Sequence, residues 1–396
     1  MARIGIFGGS FNPPHLGHIL AVREFREKLA LDRVLLIPAA TPPHKTLTAN
    51  SPDASHRLEM TRLAAADLPY AEVSDIELRR EGASYTADTL DELRLQFPED
   101  ELFLLMGTDM FLSFDTWYHP ERIAAQATVA VAHRSADNAQ QLENCAQKLK
   151  KNLDVRTVFV ENEYLPHSST SVRAMLAFQA AEEYLAPAVL DYIRRNNLYF
   201  SRTELKGLSF ERLQEVSLCL HDRKRVPHVL GCSETAERLA RKYGADETDA
   251  KRAGILHDVT KALNAQEQLK LCDQYAIILD NFERLNPKLL HARTGSVIAE
   301  MVFGENRAVY EAIRWHTTGK ADMSLLEKIV YLADYMEPNR AFDGIDELRR
   351  LTEENLDDAM MFGLKMTMEQ LRANRREIDK NSSAALRWLE ERKRNR

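Results

Sequence analysis

Strand-like and helix-like stretches alternate along the chain up to about residue 200, and helix-like stretches alone follow. The strand-like runs are almost continuously apolar: RIGIF at 3–7, RVLLIP at 33–38, AEVSDIEL at 71–78, ELFLLMG at 101–107, TVAVAH at 128–133 and VRTVFV at 155–160. Apolar strands separated by helices are typical of a parallel sheet that is covered on both faces. The alternation therefore predicts an α/β doubly wound parallel sheet, Rossmann-like, followed by an all-α domain.

A chain of 396 residues is too long for one ordinary hydrophobic core, and the change in pattern shows where to divide it. We expect a first domain over residues 1–200, a polar connection over 201–208 and a helical domain over 209–396. In the second half, Gly244, Gly304 and Gly319 stand where helices should end. Ser324 and Glu327 have the spacing of a capping box, which predicts that another helix begins there.

Composition narrows the classes of partner. A formal net charge of −7 argues against general binding to nucleic acid. No apolar run is long enough to cross a bilayer, and the first residues lead into a strand without the pattern of a secretory signal. The four cysteines form no Cys-x-x-Cys pair, which is typical of reduced thiols in the cytosol. We therefore expect a cytoplasmic protein with neither nucleic acid nor membrane as a partner.

A turn of small residues, Gly8-Gly9-Ser10, follows the first predicted strand. Ligands of open parallel sheets bind beyond the carboxyl ends of the strands, so this turn should lie at a binding edge. Glycine lets the backbone approach a phosphate closely, and its N–H groups can donate to the oxygens. His15 and His18 stand about one helical turn apart at the start of the next helix, so both can donate to the same phosphoryl group. The pattern predicts a phosphate site.

A second phosphate-binding element is predicted at HSSTSVRAML, residues 167–176. Ser168, Ser169 and Thr170 are favoured N-cap residues, and Arg173 follows one turn into the helix. A helix N-terminus with hydroxyls and a guanidinium suits a polyphosphate.

The strand ELFLLMG contributes a third element to this edge. It leads into Gly107, and Asp109 follows shortly after it. An acidic residue just past a strand end can accept hydrogen bonds from ribose hydroxyls.

His15-Leu16-Gly17-His18 resembles the histidine signature of the nucleotidyltransferase superfamily, and Ser168-Ser169-Thr170-x-x-Arg173 resembles its second signature. Finer features over about residues 1–200 resemble bacterial nicotinate-nucleotide adenylyltransferases: GGSFNPPHLGH at 8–18, PPHK at 42–45, SYTADTL at 84–90 and GTDMFLSFDTWYHPERI at 107–123. Each motif alone is common in turns and helix caps. In this order, on one sheet edge, they are specific.

The resemblance implies transfer of AMP from ATP to nicotinate mononucleotide with release of pyrophosphate. It assigns the catalytic roles to His15, His18, Lys45 and Arg173, with His18 on the phosphate that is transferred. Mg²⁺ would bridge the triphosphate with few or no protein ligands. The implied ATP-binding residues are Gly8, Gly9, Ser10, Phe11, Gly107, Asp109, Ser168, Ser169 and Thr170. The implied nicotinate mononucleotide pocket, in which the ring stacks on Trp117, consists of Thr86, Trp117, Tyr118 and Arg134.

Two alternatives stay open for this half. Trp117 could equally be an aromatic residue that only packs. The enzyme could be another adenylyl- or cytidylyltransferase, such as one for pantetheine phosphate, because substrate choice depends on the regions of Lys45, Thr86 and Trp117. The preference for acidic or amidated mononucleotide is also open.

In the second half, His228, His257, Asp258 and Asp334 stand in or beside strongly patterned helices. A buried aspartate needs a partner, which a metal ion can provide. Two imidazoles and two carboxylates suit Fe, Mn, Co or Zn with positions open for water and substrate, unlike a closed cysteine-based zinc site. His221 also precedes an aspartate, but its charged surroundings exclude it as the metal motif.

The order His, His-Asp, Asp resembles the HD phosphohydrolase superfamily. Longer stretches between residues 209 and 385, such as AGILHDVTK and IRWHTTGKADMSLLEKIVYLADYMEPNR, resemble bacterial HD-domain enzymes that cleave diadenosine tetraphosphate into two ADP. By this resemblance the metal ligands are His228, His257, Asp258 and Asp334, and Cys232 stays apart from them. The resemblance also implies that His291 and His316 contact the phosphates or hold a second metal ion. The other implied substrate contacts are Lys261, Thr317, Thr318 and Arg340.

Other roles for the helical half remain open. It could be a nucleotide sensor that regulates the transferase, or a hydrolase of cyclic dinucleotides, deoxynucleotides or guanosine alarmones. The identity and number of its metal ions, the oligomeric state, for which a homo-oligomer is one alternative, and any coupling between the sites are not predicted. The fusion itself suggests a hypothesis, that the hydrolase removes dinucleoside polyphosphate formed when ATP accepts AMP. The isolated first domain, incubated with ATP alone, should then form that product.

Overall fold

Six parallel strands form one sheet in the first half of a computed structural model, which describes residues 1–43, 47–133, 139–162 and 167–395. Their bounds are β1 Arg3–Gly9, β2 Arg33–Pro38, β3 Ala71–Val73, β4 Glu101–Gly107, β5 Ala127–His133 and β6 Thr157–Glu161. The strand order is β3-β2-β1-β4-β5-β6. The strands β2 and β3 therefore lie on one side of β1, and β4, β5 and β6 lie on its other side. This reversal of the strand order opens a crevice at the carboxyl ends of β1 and β4, where such sheets bind ligands.

The run predicted as a strand over 71–78 forms a strand only in its first three residues. β3 lies at the sheet edge and pairs with β2 alone. Beyond it, Asp75 begins a turn: its carbonyl accepts from the Leu78 amide at 2.8 Å, and its carboxylate pairs with Arg79 at 2.6 Å. The polar turn therefore ends the strand before residue 78, where the sequence predicted its end.

Helices cover both faces of the sheet because successive strand side chains point to opposite sides. Ile4, Ile6 and Leu104 belong to one core cluster, and Leu36 and Phe103 belong to the other. The helices of this unit are α1 Leu16–Lys28, α2 Ala54–Ala65, α3 Thr86–Gln96, α4 Thr108–Leu112, α5 Pro120–Gln126, α6 Ala139–Leu153, α7 Ser169–Ala177 and α8 Pro187–Arg195. Buried side chains of α3, α5 and α6 lie in the first cluster, and those of α1 and α2 lie in the second.

The regular elements among the described residues of the second half are all helices. Its helices are α9 Phe210–Leu220, α10 Val226–Tyr243, α11 Glu247–Leu256, α12 Ala265–Gln274, α13 Asn281–Leu285, α14 Leu290–Met301, α15 Arg307–Trp315, α16 Leu325–Met336, α17 Ile345–Glu354, α18 Leu356–Ala373 and α19 Lys380–Arg394. The predicted fold class, a doubly wound sheet followed by an all-α domain, is confirmed. The chain divides into two compact units, Met1–Arg202 and Thr203–Arg396.

The predicted helix boundaries of the second unit follow from local chemistry. The Ser324 hydroxyl accepts from the Glu327 amide at 3.2 Å, and the Glu327 carboxylate accepts from the Ser324 amide at 2.7 Å. This capping box starts α16, as predicted. Gly244, Gly304 and Gly319 all have positive φ angles just after helices, a conformation that glycine adopts without a steric penalty.

Helix α16 lies at the centre of the second unit, with buried side chains on all sides. Helices α10 and α11 approach each other closely at Gly254, where an added Cβ would lie 2.6 Å from the Ser233 Cα. Close packing of these two helices brings His228 near the end of α11, where His257 and Asp258 follow.

Two further properties concern the chain as a whole. Among the described residues, no helix combines the length and apolarity that crossing a membrane requires. None of the four cysteines, all of which lie in described segments, forms a disulfide.

Candidate functional site

The first candidate site begins where β1 leads into α1. His15 is the N-cap of α1, and its backbone N–H donates to Nδ1 of His18 at 3.1 Å. Since Nδ1 of His18 accepts this bond, the proton of the neutral imidazole stands on Nε2. The two rings lie 3.8 Å apart between centroids. The structure thus brings the two predicted histidines together, with a fixed tautomer for His18.

The second predicted motif reaches the loop that follows β1. Ser168 caps α7 through reciprocal hydrogen bonds with Ser171, at 3.0 and 3.1 Å. The buried Arg173 donates to the Asn12 carbonyl at 2.7 Å and to the Thr170 hydroxyl at 3.2 Å. Ser169 donates to the carbonyl of residue 13 at 3.2 Å. Two motifs more than 150 residues apart in sequence therefore meet at one loop.

Arg57 also fixes this loop, and sequence reasoning missed it. Its guanidinium is buried and donates to the carbonyls of Ser10, Ala39 and Ala40 at 2.8, 2.7 and 3.0 Å. Burial lowers the pKa of Arg57. The sequence gives no local signal for this role, because α2 also carries Arg62 and other polar residues, and only burial makes a guanidinium require acceptors.

A cavity of 540 Å³ opens at the carboxyl edge of the sheet. Gly107, Asp109, His133 and Asn162 are among its lining residues. A Cβ added at Gly8 or at Gly107 would meet nothing within 4 Å. Packing within the protein therefore does not require glycine at these two strand ends. Open backbone at this edge is what a closely approaching ligand would need.

Asn162 was also missed by sequence reasoning. It follows β6, and its backbone N–H donates to the His133 carbonyl at 2.9 Å. The residue is 4 % exposed, yet neither its amide oxygen nor its amide nitrogen has a hydrogen-bond partner within the described part of the chain. Buried amides are normally bonded, so this one has capacity for a ligand.

The residues expected to hold nicotinate mononucleotide lie on neighbouring segments. Thr86 begins α3, and the preceding Tyr85 stacks on Tyr118 with centroids 4.1 Å apart and planes 27° apart. Trp117 is partly buried, with its ring 5.5 Å from that of Phe114. Arg134, the remaining residue expected in this pocket, lies outside the described residues, as does Lys45, which was expected to act on the triphosphate of ATP.

The second candidate site gathers side chains from five helices. Nε2 of His228 lies 3.2 Å from Nε2 of His257 and 3.1 Å from Oδ1 of Asp334. Oδ2 of Asp258 lies 3.6 Å from His228 Nε2 and 3.4 Å from His257 Nε2. These four predicted ligands converge, and three of them form a group with the spacing of metal ligands.

The other oxygen of Asp258 faces a second pair of histidines. Oδ1 lies 3.3 Å from Nε2 of His291 and 3.8 Å from Nε2 of His316. These two nitrogens lie 3.2 Å apart. Asp258, His257 and His316 form a second group with metal-ligand spacing. Asp258 therefore joins the two halves of one buried cluster.

Each histidine of this cluster has its Nδ1 atom engaged. Nδ1 lies 2.7 Å from a carbonyl oxygen three residues earlier in His257, His291 and His316. A carbonyl can only accept, so Nδ1 carries the proton and Nε2 presents its lone pair. In His228, Nδ1 instead lies 3.1 Å from the Glu337 carboxylate. All four imidazoles are thus oriented with Nε2 toward the carboxylates, as metal-binding histidines usually are.

Electrostatics favours a cation at the cluster. Burial alone would raise the pKa of Asp258 and Asp334, but the neighbouring His228 and His257 hold both pKa values well below the usual range. Burial lowers the pKa of His291 to about 3 and that of His316 to about 4, so both are neutral. Burial alone would lower the pKa of His228 and His257, but the neighbouring Asp258 and Asp334 raise it in both, so these two imidazoles would give up a proton when they bind a metal. Two ionised carboxylates beside imidazoles are a donor set that suits a divalent metal.

Three cationic side chains surround this buried cluster, each between 30 % and 37 % exposed. Arg225 donates to Asp258 through Nε at 2.6 Å, and Arg340 donates to Asp334 at 2.7 Å. The Lys261 ammonium lies 3.0 Å from Nε2 of His291. The sequence predicted Lys261 and Arg340 but missed Arg225, whose signal was its place one turn before His228.

Other predicted contacts are less directly placed. The Thr318 hydroxyl donates to the adjacent Gly319 carbonyl at 3.1 Å, and Thr317 precedes it in the same turn. Cys232 was expected to stay apart from the ligands, but its buried thiol lies near His257 and interacts with it electrostatically. The two residues are close because α10 turns Cys232 and His228 toward the same interior. His221 is buried with Asp258, His257 and Arg225 among the charged groups near it, and it belongs to neither group with metal-ligand spacing.

Comparison with known proteins defines two classes along the chain. Residues 6–175 match the Cytidylyltransferase-like family, and residues 225–339 match the HD domain. The first unit therefore has the fold of nucleotidyltransferases, and the second carries an HD domain.

Comparison with individual relatives identifies the family within the nucleotidyltransferase class. A probable nicotinate-nucleotide adenylyltransferase of Carboxydothermus hydrogenoformans is 39% identical over 199 residues, which are 50% of this chain and 98% of that protein. One of Thermus thermophilus is 41% identical over 198 residues, 50% of this chain and 99% of that protein. The chain belongs to the nicotinate-nucleotide adenylyltransferase family through these residues.

One solved structure is similar to part of the chain. It is described as a predicted HD superfamily hydrolase involved in NAD metabolism from Clostridium acetobutylicum. It is 35% identical with a TM-score of 0.46, and the likeness covers 47% of this chain and 98% of that chain.

Proposed function

We propose that the first unit, with its predicted domain over residues 1–200, transfers AMP from ATP to nicotinate mononucleotide. The observation that carries this proposal is the meeting of His15, His18 and the α7 N-terminus at the loop after β1. The family relationship of these residues supports the choice of acceptor. The products are nicotinate adenine dinucleotide and pyrophosphate.

The reaction needs positioning and charge neutralisation more than a protein nucleophile. A phosphate oxygen of the mononucleotide forms a bond to the α-phosphorus of ATP, and the bond from that phosphorus to pyrophosphate breaks. The Nε2 proton of His18 is suited to donate to the phosphoryl group that is transferred. Lys45 and Arg173 would neutralise charge on the triphosphate, and Mg²⁺, when bound, would neutralise more of it. Arg57, Arg173 and the capping bonds of α7 keep the loop in place.

We assign the nucleoside of ATP to the 540 Å³ cavity at the carboxyl edge of the sheet. Asp109 is suited to accept from the ribose hydroxyls. The buried amide of Asn162 offers one donor and one acceptor, which suit the acceptor and amino group along an edge of adenine. The mononucleotide would lie beside Thr86, Trp117 and Tyr118, where the aromatic side chains can pack against its ring.

Replacing Asn162 with alanine should raise the KM for ATP about 10-fold, because a bidentate contact to a base contributes about 1–3 kcal/mol. The KM for nicotinate mononucleotide should stay within about twofold, since that substrate does not reach this contact. Steady-state kinetics with each substrate varied in turn measures both. Asn144→Ala, on the exposed face of α6, is the matched control. A larger change in the mononucleotide KM would contradict the assignment.

We propose that the second unit, with its predicted domain over residues 209–396, is a metal-dependent phosphohydrolase that cleaves diadenosine tetraphosphate into two ADP. The observation that carries this proposal is the buried cluster of four imidazoles and two carboxylates, surrounded by Arg225, Lys261 and Arg340. A metal cluster beside cationic side chains suits a phosphate chain as substrate.

His228, His257, Asp258 and Asp334 fit one divalent ion such as Fe, Mn, Co or Zn. Because the two oxygens of Asp258 face different histidine pairs, His291 and His316 fit a second ion better than a direct phosphate contact. Such ions supply an activated water and neutralise charge on a phosphoryl group. Arg225, Lys261 and Arg340 would orient the tetraphosphate and disperse the charge that develops on the departing ADP.

Removing the metal tests the hydrolase directly. Treatment of the full chain with a chelator, followed by its removal, should abolish ADP formation from diadenosine tetraphosphate. Mn²⁺ or Fe²⁺ should restore it, and dinucleotide synthesis assayed with Mg²⁺ should be unchanged. A metal-loaded chain that binds the tetraphosphate without cleaving it would favour a nucleotide sensor. Cleavage only of cyclic dinucleotides, deoxynucleotides or alarmones would correct the substrate.

A further inference from the structure

Glu337 stands out among the groups that orient the cluster histidines. His257, His291 and His316 each donate Nδ1–H to a neutral backbone carbonyl. His228 alone has a carboxylate at this position, with Oε1 of Glu337 3.1 Å from its Nδ1. Glu337 is 1 % exposed, so little water screens this pair. His228 is therefore the one ligand of the cluster with a charged partner behind it.

The Glu337 carboxylate is itself held in place. Its Oε2 accepts from the Asn339 backbone N–H at 2.7 Å and from the Asn339 side-chain amide at 2.8 Å. The same amide donates to the carbonyl of Pro227, the residue before His228, at 3.0 Å. This clamp ties the turn after α16 to the start of α10.

Gly231 leaves the space that the carboxylate occupies. It lies one turn after His228 on α10, and an added Cβ would stand 2.5 Å from Oε2 of Glu337. It would also stand 3.1 Å from the Asn339 amide nitrogen. Glycine in a helix interior normally lowers stability relative to alanine, so its presence here fits a need for this space.

We propose that Glu337 is a positioning residue for the metal ligand His228, and that Asn339 and Gly231 serve to place Glu337. This inference rests on the proposed metal-dependent hydrolase. The carboxylate accepts the Nδ1 proton of His228, keeps the lone pair of Nε2 directed at the cluster and strengthens the imidazole as a ligand. Partners behind a metal-binding histidine typically change metal affinity about 10- to 100-fold when they are removed.

Glutamine at position 337 has a distinct expected effect. Asn339 presents two donors to the position of Oε2, so the glutamine oxygen should turn toward Asn339. Its NH₂ group would then face Nδ1 of His228 and donate to it. The imidazole proton would move to Nε2 and block the lone pair that a metal needs. Glu337→Gln should therefore bind metal no better than Glu337→Ala.

The test is the Mn²⁺ affinity of the full chain, measured from the electron paramagnetic resonance signal of the free ion. Glu337→Gln should weaken Mn²⁺ binding about 10- to 100-fold. Gly231→Ala removes no polar group, yet it should also weaken binding because its Cβ displaces Glu337. Glu305→Gln is the matched control: Glu305 is a buried carboxylate paired with Arg252 at 2.6 and 2.8 Å in the same unit. Its affinity should stay within about twofold of wild type.

Thermal unfolding of each variant separates positioning from folding. A Glu337→Gln chain that unfolds at a lower temperature but binds Mn²⁺ like wild type would overturn the inference, as would unchanged binding in both Glu337→Gln and Gly231→Ala. Weakened binding in Glu337→Gln alone would overturn the role of Gly231. Mn²⁺ binding that falls in Asp258→Ala but not in Glu337→Gln overturns this inference alone. A wild-type chain that binds no Mn²⁺ overturns the proposed hydrolase with it.

Discussion

Asp258→Ala is expected to lower the rate of diadenosine tetraphosphate cleavage by about 10³-fold or more. The substitution removes one carboxylate oxygen from each half of the cluster, because Oδ2 faces His228 and His257 while Oδ1 faces His291 and His316. Both metal positions would lose a charged ligand at once. The measurement is ADP formation by the full chain at saturating Mn²⁺.

Two further variants show whether the loss of activity is specific to the carboxylate of Asp258. Asp258→Asn keeps the shape of the side chain and should lose nearly as much activity, because the loss is of charge and ligand capacity. Asp346→Asn, whose carboxylate is 98 % exposed on α17, should leave the rate unchanged. Retention of more than about a tenth of the wild-type rate in Asp258→Ala would speak against a metal centre built on this residue.

His18→Ala is expected to lower the rate of dinucleotide synthesis about 10²- to 10³-fold, the usual effect of losing one donor to a developing oxyanion. The hydrogen bond from His15 to Nδ1 of His18 leaves the proton on Nε2, where it can reach a phosphoryl oxygen. The effect should fall on kcat more than on the KM for either substrate, because the contact strengthens as the transferred phosphoryl group gains charge.

The control for this variant is another histidine of the same unit. Nδ1 of His56 lies 2.9 Å from the Tyr192 hydroxyl, between α2 and α8, and has no assigned role in the reaction. His56→Ala should retain the wild-type kcat. An unchanged kcat in His18→Ala, with only a raised KM, would reduce His18 to a binding residue and would require another donor for the transferred phosphate.

The sequence predicts the architecture well because the strands are buried on both faces. The runs at 33–38 and 101–107 form β2 and β4 with the predicted bounds, since a continuous apolar stretch between polar flanks has few other places to lie. The strand predicted over 71–78 was too long, because apolar residues of this run such as Ile76 pack into the core from a turn instead. Strand ends at an exposed sheet edge depend on tertiary contacts that the pattern does not contain.

The candidate sites, like the fold, could be predicted from the sequence only in part. Residues with reactive side chains at distinctive spacings, such as His15 with His18 and His257 with Asp258, are visible in the sequence. Residues that support them through long-range contacts are not. Arg57 holds a loop by donating to backbone carbonyls, and Glu337 contacts a histidine more than 100 residues away. Neither residue stands in a local sequence pattern that indicates its role. Only the folded chain shows what these side chains contact.

The most direct test of two separate phosphate-handling sites in one chain is to assay both reactions in both variants of the full-length protein. His18→Ala should lose dinucleotide synthesis and keep wild-type cleavage of diadenosine tetraphosphate. Asp258→Ala should lose cleavage and keep wild-type synthesis. Loss of both activities in either variant, with the protein still folded, would contradict the assignment of two independent sites.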